Sequence, residues 1–173
     1  MTMSQTYTLS VRNTLAQGGS LARRLTATPR DTAASVARLT LAVVLFPHGA
    51  QHALGWFGGY GFQGTLAWMT GSVGFPAPLA ALAIVTELLA PVLLAVGLGG
   101  RLAAAGLFGL MLGAISTHLE NGFFMNWFGS MAAGREGYEY HLLVLALAAV
   151  VMIKGSGAGS VDRLLVGRAP KDA

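Results

Sequence analysis

The chain has 173 residues, of which 54% are hydrophobic and only 10% charged, with a mean hydropathy of +0.60; soluble domains carry about 25% charged residues, so this composition describes an integral membrane protein. It contains no cysteine, which excludes disulfides, thiolate metal sites, cysteine nucleophiles and cysteine-ligated iron–sulfur clusters within the chain. The net charge of +4 would suit nucleic acid, but the basic residues are spread over two tails with no aromatic interleaving and no nucleic-acid motif, so no such partner is expected.

Residues 1–31 lack the continuous apolar run of a secretory signal. Leu9, Val11, Leu15, Leu21 and Leu25 fall on one helical face, interrupted at Gly18-Gly19. The stretch reads as a basic cytoplasmic tail, either lying on the membrane surface or disordered. Four apolar segments follow, each near the roughly 20 residues that a spanning helix needs. They cover about residues 32–54, 78–98, 101–120 and 138–154, and residues 155–173 form a C-terminal tail. Pro78 suits the start of the second segment, and Gly97, Gly99 and Gly100 suit its end. The expected fold is an all-α integral membrane protein, an antiparallel bundle of four transmembrane helices joined by short connections.

Positively charged loops stay in the cytoplasm. Arg12, Arg23, Arg24, Arg30 and Arg38 precede or open the first segment, Arg101 joins the second and third, and Lys154, Arg163, Arg168 and Lys171 close the chain. Four spans put these ten of eleven basic residues on one side, with Arg135 opposite, so both termini are expected in the cytoplasm. The two outer connections are aromatic instead. Trp56, Phe57, Tyr60, Phe62, Trp68 and Phe75 fall in the first, and Phe123, Phe124, Trp127, Phe128, Tyr138 and Tyr140 in or beside the second. An interfacial belt would form at both faces. The one-sided excess suggests loops that cap a pocket.

All four histidines gather at that same outer end. His48 and His52, four residues apart and flanking Gln51, share a face of the first helix; His118 ends the third helix and His141 opens the fourth. Glu120, Asn121, Glu136 and Glu139 are close in sequence. Glu87 is different, because it falls near the middle of the second helix beside Thr86. A carboxylate at that depth is protonated or paired, and His48 or His52 is the expected partner. Pro47 and Pro91 each remove a helical hydrogen bond, and a kink at Pro47 would open room beside His48. Gly109 and Gly113 make a GxxxG of the kind that permits close helix approach.

These groups suit a proton-coupled ligand site: imidazole titrates near neutral pH, and ionisable groups inside a membrane mark function by default. Glu87, His48 and His52 are the candidate proton-exchanging residues. Gln51, His118, His141, Trp56, Trp127 and Tyr140 are the candidate ligand contacts. The competing reading is that these groups only bond helices to one another. No HExxH marks a metal site, and haem would need two facing histidines at matched depth, so neither metal nor haem is expected. Gly59 to Gly64 matches GxGxxG, but it follows a helix in a loop rather than a strand, so no dinucleotide site is read there.

Four motifs in order carry a resemblance. They are Pro47-His48-Gly49 with Gln51-His52; Thr86-Glu87-Leu88-Leu89 before Gly97-Leu98-Gly99; Glu139-Tyr140-His141; and Ser160-Val161-Asp162-Arg163-Leu164. Over about Val36 to Leu165 the chain resembles the DoxX family of small four-helix bacterial membrane proteins. The resemblance implies a multi-pass protein of the bacterial inner membrane linked to redox chemistry, with quinone as the expected ligand. It implies a redox enzyme subunit as protein partner, alongside the bilayer itself and a possible homo-oligomer. The alternatives are a non-catalytic anchor for such an enzyme, or a small-molecule transporter. No inverted repeat supports transport.

Overall fold

The structure is a computed structural model that describes residues 26–129, 132 and 135–168. Most of the basic N-terminal tail read from the sequence lies outside the described residues, as does the end of the C-terminal tail. Helices account for all regular structure among the described residues. In chain order they are α1 (Thr32–Leu54), a 3-10 turn (Trp56–Gly58), α2 (Gly61–Gly71), α3 (Ala77–Val96), α4 (Gly100–His118) prolonged by a 3-10 turn (Leu119–Asn121), α5 (Glu139–Lys154) and α6 (Val161–Arg168).

Local chemistry sets the boundaries. Asp31 caps α1 by accepting from the Ala34 amide at 3.0 Å, one of the amides that a helix start leaves without a partner. Gly55, at φ 73°, ends α1 in the left-handed region that glycine enters without cost. Pro78 sits in the first turn of α3, and Gly97, at φ 71°, returns its amide to the Leu93 and Leu94 carbonyls. Both α1 and α3 continue through their internal prolines, Pro47 and Pro91.

The four long helices pack antiparallel. Arg38 of α1 meets Leu94 of α3 at one end of their seam, and Gly49 meets Glu87 near the other. Arg101 of α4 meets Met152 of α5, while His118 meets His141. α1 also packs on α5, and α3 on α4. Leu41, Leu45, Leu94, Leu107 and Val151 fill the centre, with Ala42, Ala90, Ala104 and Ala148 letting the backbones approach. Val43, Leu82, Leu102, Leu143 and Ile153 point outward and are at least 60% exposed. Helices apolar on both faces bury one in the bundle and offer the other to lipid. α1, α3 and the continuous stretch Gly100–Asn121 are each long and apolar enough to cross a membrane. α5 is a shorter helix of 16 residues.

At the end opposite the histidines, each helix terminus meets a side chain of complementary charge. Arg38, only 2% exposed, donates to the Leu94 and Ala95 carbonyls at the C-terminus of α3 and to the Gly159 carbonyl. Arg101 donates to the Met152 and Ile153 carbonyls at the C-terminus of α5. Asp162, 1% exposed, accepts from the Gly99 and Gly100 amides at the start of α4, at 2.8 and 3.1 Å, and from Ser156 Oγ at 2.6 Å. Unpaired carbonyls at a helix C-terminus attract cations, and unpaired amides at an N-terminus attract anions. This arrangement folds residues 155–166 back onto the bundle.

Two helices were not read from the sequence. α2 occupies part of the stretch read as a loop, where five glycines between Gly55 and Gly64 mask its short apolar pattern. α6 is a short helix in the stretch read as a tail, too polar on average to register as a membrane element.

Candidate functional site

Glu87 pairs with one of the two histidines offered by α1. His52 Nδ1 lies 2.6 Å from Glu87 Oε2, with the carboxylate side chain 13% exposed and the imidazole 39% exposed. The pairing is made possible by Gly49. A Cβ at that position would fall 2.2 Å from the Glu87 carbonyl oxygen and 2.7 Å from Leu88 Cα, so α1 and α3 touch there backbone to backbone. That contact sets the register that brings His52 opposite Glu87.

His48 faces elsewhere. It is exposed, with its ring 6.2 Å from that of Tyr140 on α5. Tyr140 lies within electrostatic reach of Glu87, and His141 within reach of His118 and His48. The His118 and His141 rings are 4.8 Å apart. His118 is oriented by its own helix, with Nδ1 2.8 Å from the Ala114 carbonyl; a donor is required to face a carbonyl, so Nδ1 carries a proton. The side chains of α1, α3, α4 and α5 therefore converge at one end of the bundle.

Two atoms of this cluster are buried without a partner: the Tyr140 hydroxyl and His141 Nδ1. His141 is only 8% exposed. A buried polar atom without a hydrogen bond costs about 1–3 kcal/mol, so these two neighbouring residues hold hydrogen-bonding capacity that the protein itself does not use. Tyr140 also packs against the apolar core of the bundle. Among the described residues, no group of three or more His, Asp or Glu is disposed to hold a metal ion.

The remaining sequence candidates take supporting positions. Gln51 Nε2 is 3.4 Å from the Phe57 carbonyl and so ties the α1–α2 connection to the last turn of α1. Trp56 packs edge-on against Phe46 and Phe57. Trp127 donates its indole N–H to Glu139, at the start of the helix that carries Tyr140 and His141. Trp56 and Trp127 are 52% and 66% exposed.

A family model described as DoxX matches residues 33–135. The chain belongs to the DoxX family. No curated protein and no solved structure matches it. DoxX is a membrane family, and the three long apolar helices agree: this DoxX chain is a membrane protein in contact with the bilayer. The matched region holds His48, His52, Glu87 and His118, whereas Tyr140 and His141 follow it. The Arg38–Asp162 arrangement of this DoxX chain was not anticipated. Its signals were an arginine inside an apolar segment and an aspartate in a basic tail, each of which needs a partner when buried.

Proposed function

We propose that this protein binds a quinone, or a similar small redox ligand, at the histidine end of the bundle, with Glu87 and His52 exchanging protons with it. The observation that carries the reading is the His52–Glu87 pair beside two buried polar atoms that lack partners, Tyr140 OH and His141 Nδ1. A bound quinone supplies two-electron, two-proton chemistry. The residues present fit such a ligand. Tyr140 donates to or accepts from one of its oxygens, and His141 Nδ1 takes a second hydrogen bond. Glu87, held at 2.6 Å by His52, keeps an exchangeable proton in a shared bond below the surface. His48, one turn deeper on α1 and beside the Tyr140 ring, lines the same end of the bundle, and His118 orients His141. The chain has no cysteine to form a redox disulfide or hold an iron–sulfur cluster, so the reading includes a redox partner subunit that exchanges electrons with the ligand.

The same reading sets the topology. α5 and the segment after it complete a fourth span, both termini lie in the cytoplasm, and the histidine end faces outward in a bacterial inner membrane. The basis is the gathering of Arg38, Arg101, Lys154 and Arg163 at one end, since basic residues remain inside. A second reading, an anchor for an enzyme partner, draws on the exposed aromatic surface at the histidine end, where Phe124 and Phe128 are 71% and 96% exposed.

The test is a titration of ubiquinone-1 into the purified full-length protein in nanodiscs. Saturable binding by the wild type, weakened about tenfold or more by Glu87→Gln and by His52→Ala, is the expected result. That loss corresponds to about 1.4 kcal/mol or more, close to the lower end of what one charge-assisted hydrogen bond contributes. Equal affinity in all three proteins would overturn the assignment.

A further inference from the structure

Among the described residues, four bury a polar side-chain atom without a partner: Arg38 Nε at the basic end, Tyr140 OH and His141 Nδ1 in the site above, and Thr65 Oγ1. Thr65 is the one that neither the sequence nor the histidine cluster explains. It is the only buried residue of α2, at 3% exposure. α2 packs against α1 and α3, the two helices that carry His52 and Glu87, so its buried side chain turns into their seam.

The connection into α2 is built tightly onto the site. Gly55 turns the chain at φ 73°, three residues after His52. Gly59 then lies against the backbone of Gln51, where a Cβ would come within 2.3 Å of its carbonyl oxygen. The Phe57 carbonyl faces Gln51 Nε2. α2 is therefore seated from the last turn of α1 rather than hung on a loose loop. Threonine in a helix commonly returns its hydroxyl to a carbonyl one turn back. Thr70, in the same helix, does so to Leu66 at 2.9 Å. Thr65 does not, and its hydroxyl stays buried with its donor unused.

We propose that α2 covers the ligand site and that Thr65 Oγ1 hydrogen-bonds a second polar group of the ligand. This rests on the ligand site proposed above and narrows its occupant. A molecule that engages both the His52–Glu87 pair and Thr65 carries two hydrogen-bonding oxygens on one apolar body, as a quinone or dihydroxy aromatic does.

The experiment compares wild type, Thr65→Val, Thr65→Ser and Glu87→Gln, each full length in nanodiscs, for melting temperature without ligand and for affinity toward ubiquinone-1. Valine keeps the shape of threonine and removes the unused hydroxyl. Replacing an unpartnered buried polar group by an apolar one of the same shape stabilises. Thr65→Val is therefore expected to melt above the wild type without quinone and to bind quinone about tenfold more weakly, while Thr65→Ser binds as the wild type does. Full affinity in Thr65→Val alongside weakened binding in Glu87→Gln overturns the role of Thr65 and leaves the site standing. A Thr65→Val melting point below the wild type shows the hydroxyl already bonded within the protein, which also overturns it. Absence of quinone binding by the wild type overturns the site and this inference together.

Discussion

At the scale of the residue, the site is defined by which polar atoms are satisfied and which are not. His52 and Glu87 satisfy one another, whereas Tyr140 and His141 each keep a buried atom without a partner. A residue kept for stability would lose stability when truncated; one kept for a ligand shows the opposite sign. Tyr140→Phe is accordingly expected to leave the ligand-free melting temperature unchanged or higher and to weaken quinone binding several-fold, both measurable on one protein preparation. A lower melting temperature with unchanged affinity would make the hydroxyl structural. The residue types of this cluster were legible in the sequence, because a mid-helix carboxylate and four histidines stand out in so apolar a chain. The choice of His52 over His48 was not. It depends on the register of α1 against α3, which the Gly49 contact with the Glu87 and Leu88 backbone sets, and no single helix encodes its neighbour's register. Gly49→Ala tests that account: a methyl group with 2.2 Å to a carbonyl oxygen forces the helices apart, so both the melting temperature and the quinone affinity should fall.

At the scale of the element, the opposite end of the bundle is held by charges placed on helix termini. Asp162 accepts three hydrogen bonds while almost wholly buried. Hydrogen bonds to charged groups contribute about 1.5–3 kcal/mol, so Asp162→Ala should cost at least about 2 kcal/mol and lower the melting temperature by roughly 4–8 °C, on the scaling of domains this size. A shift near zero would mean that residues 155–166 dock without this contact. Asp31 gives the same end a pH dependence. The Ala34 amide, with help from Lys154 at 3.4 Å, holds its carboxyl below the ordinary value of 3.8, against the opposing effect of burial. A depressed carboxyl contributes stability that is full above the ordinary value and is lost as pH falls through the depressed one. The stability advantage of wild type over Asp31→Ala should thus be constant near neutrality and shrink below about pH 4, as thermal melts across pH 3–7 would show. The ends of α3 were readable from Pro78 at its start and Gly97, Gly99 and Gly100 at its close, whereas the Asp31 cap of α1 was not read. α2 and α6 were not, since each is short and takes its stability from packing rather than from its own pattern.

At the scale of the whole molecule, four long helices pack antiparallel with basic residues at one end and histidines at the other. The membrane class and family were legible because composition and motif order are properties of the chain alone; the side-to-side order of the helices needed the contacts between them. The absence of cysteine makes the topology simple to test with single thiols. Tyr60→Cys, at an 82% exposed position, is expected to react with an impermeant maleimide in intact cells. Arg163→Cys is expected to react only after permeabilisation, as is Thr28→Cys. Outside labelling of Arg163→Cys with Thr28→Cys protected would instead give an odd number of spans. The central claim, however, is the ligand site, and its most direct measurement is mass spectrometry of what accompanies the protein through mild-detergent purification. The account predicts extractable quinone at about one molecule per chain, lost on Glu87→Gln while the helical fold persists. Wild type and Glu87→Gln that purify with equal quinone, or with none, would contradict it.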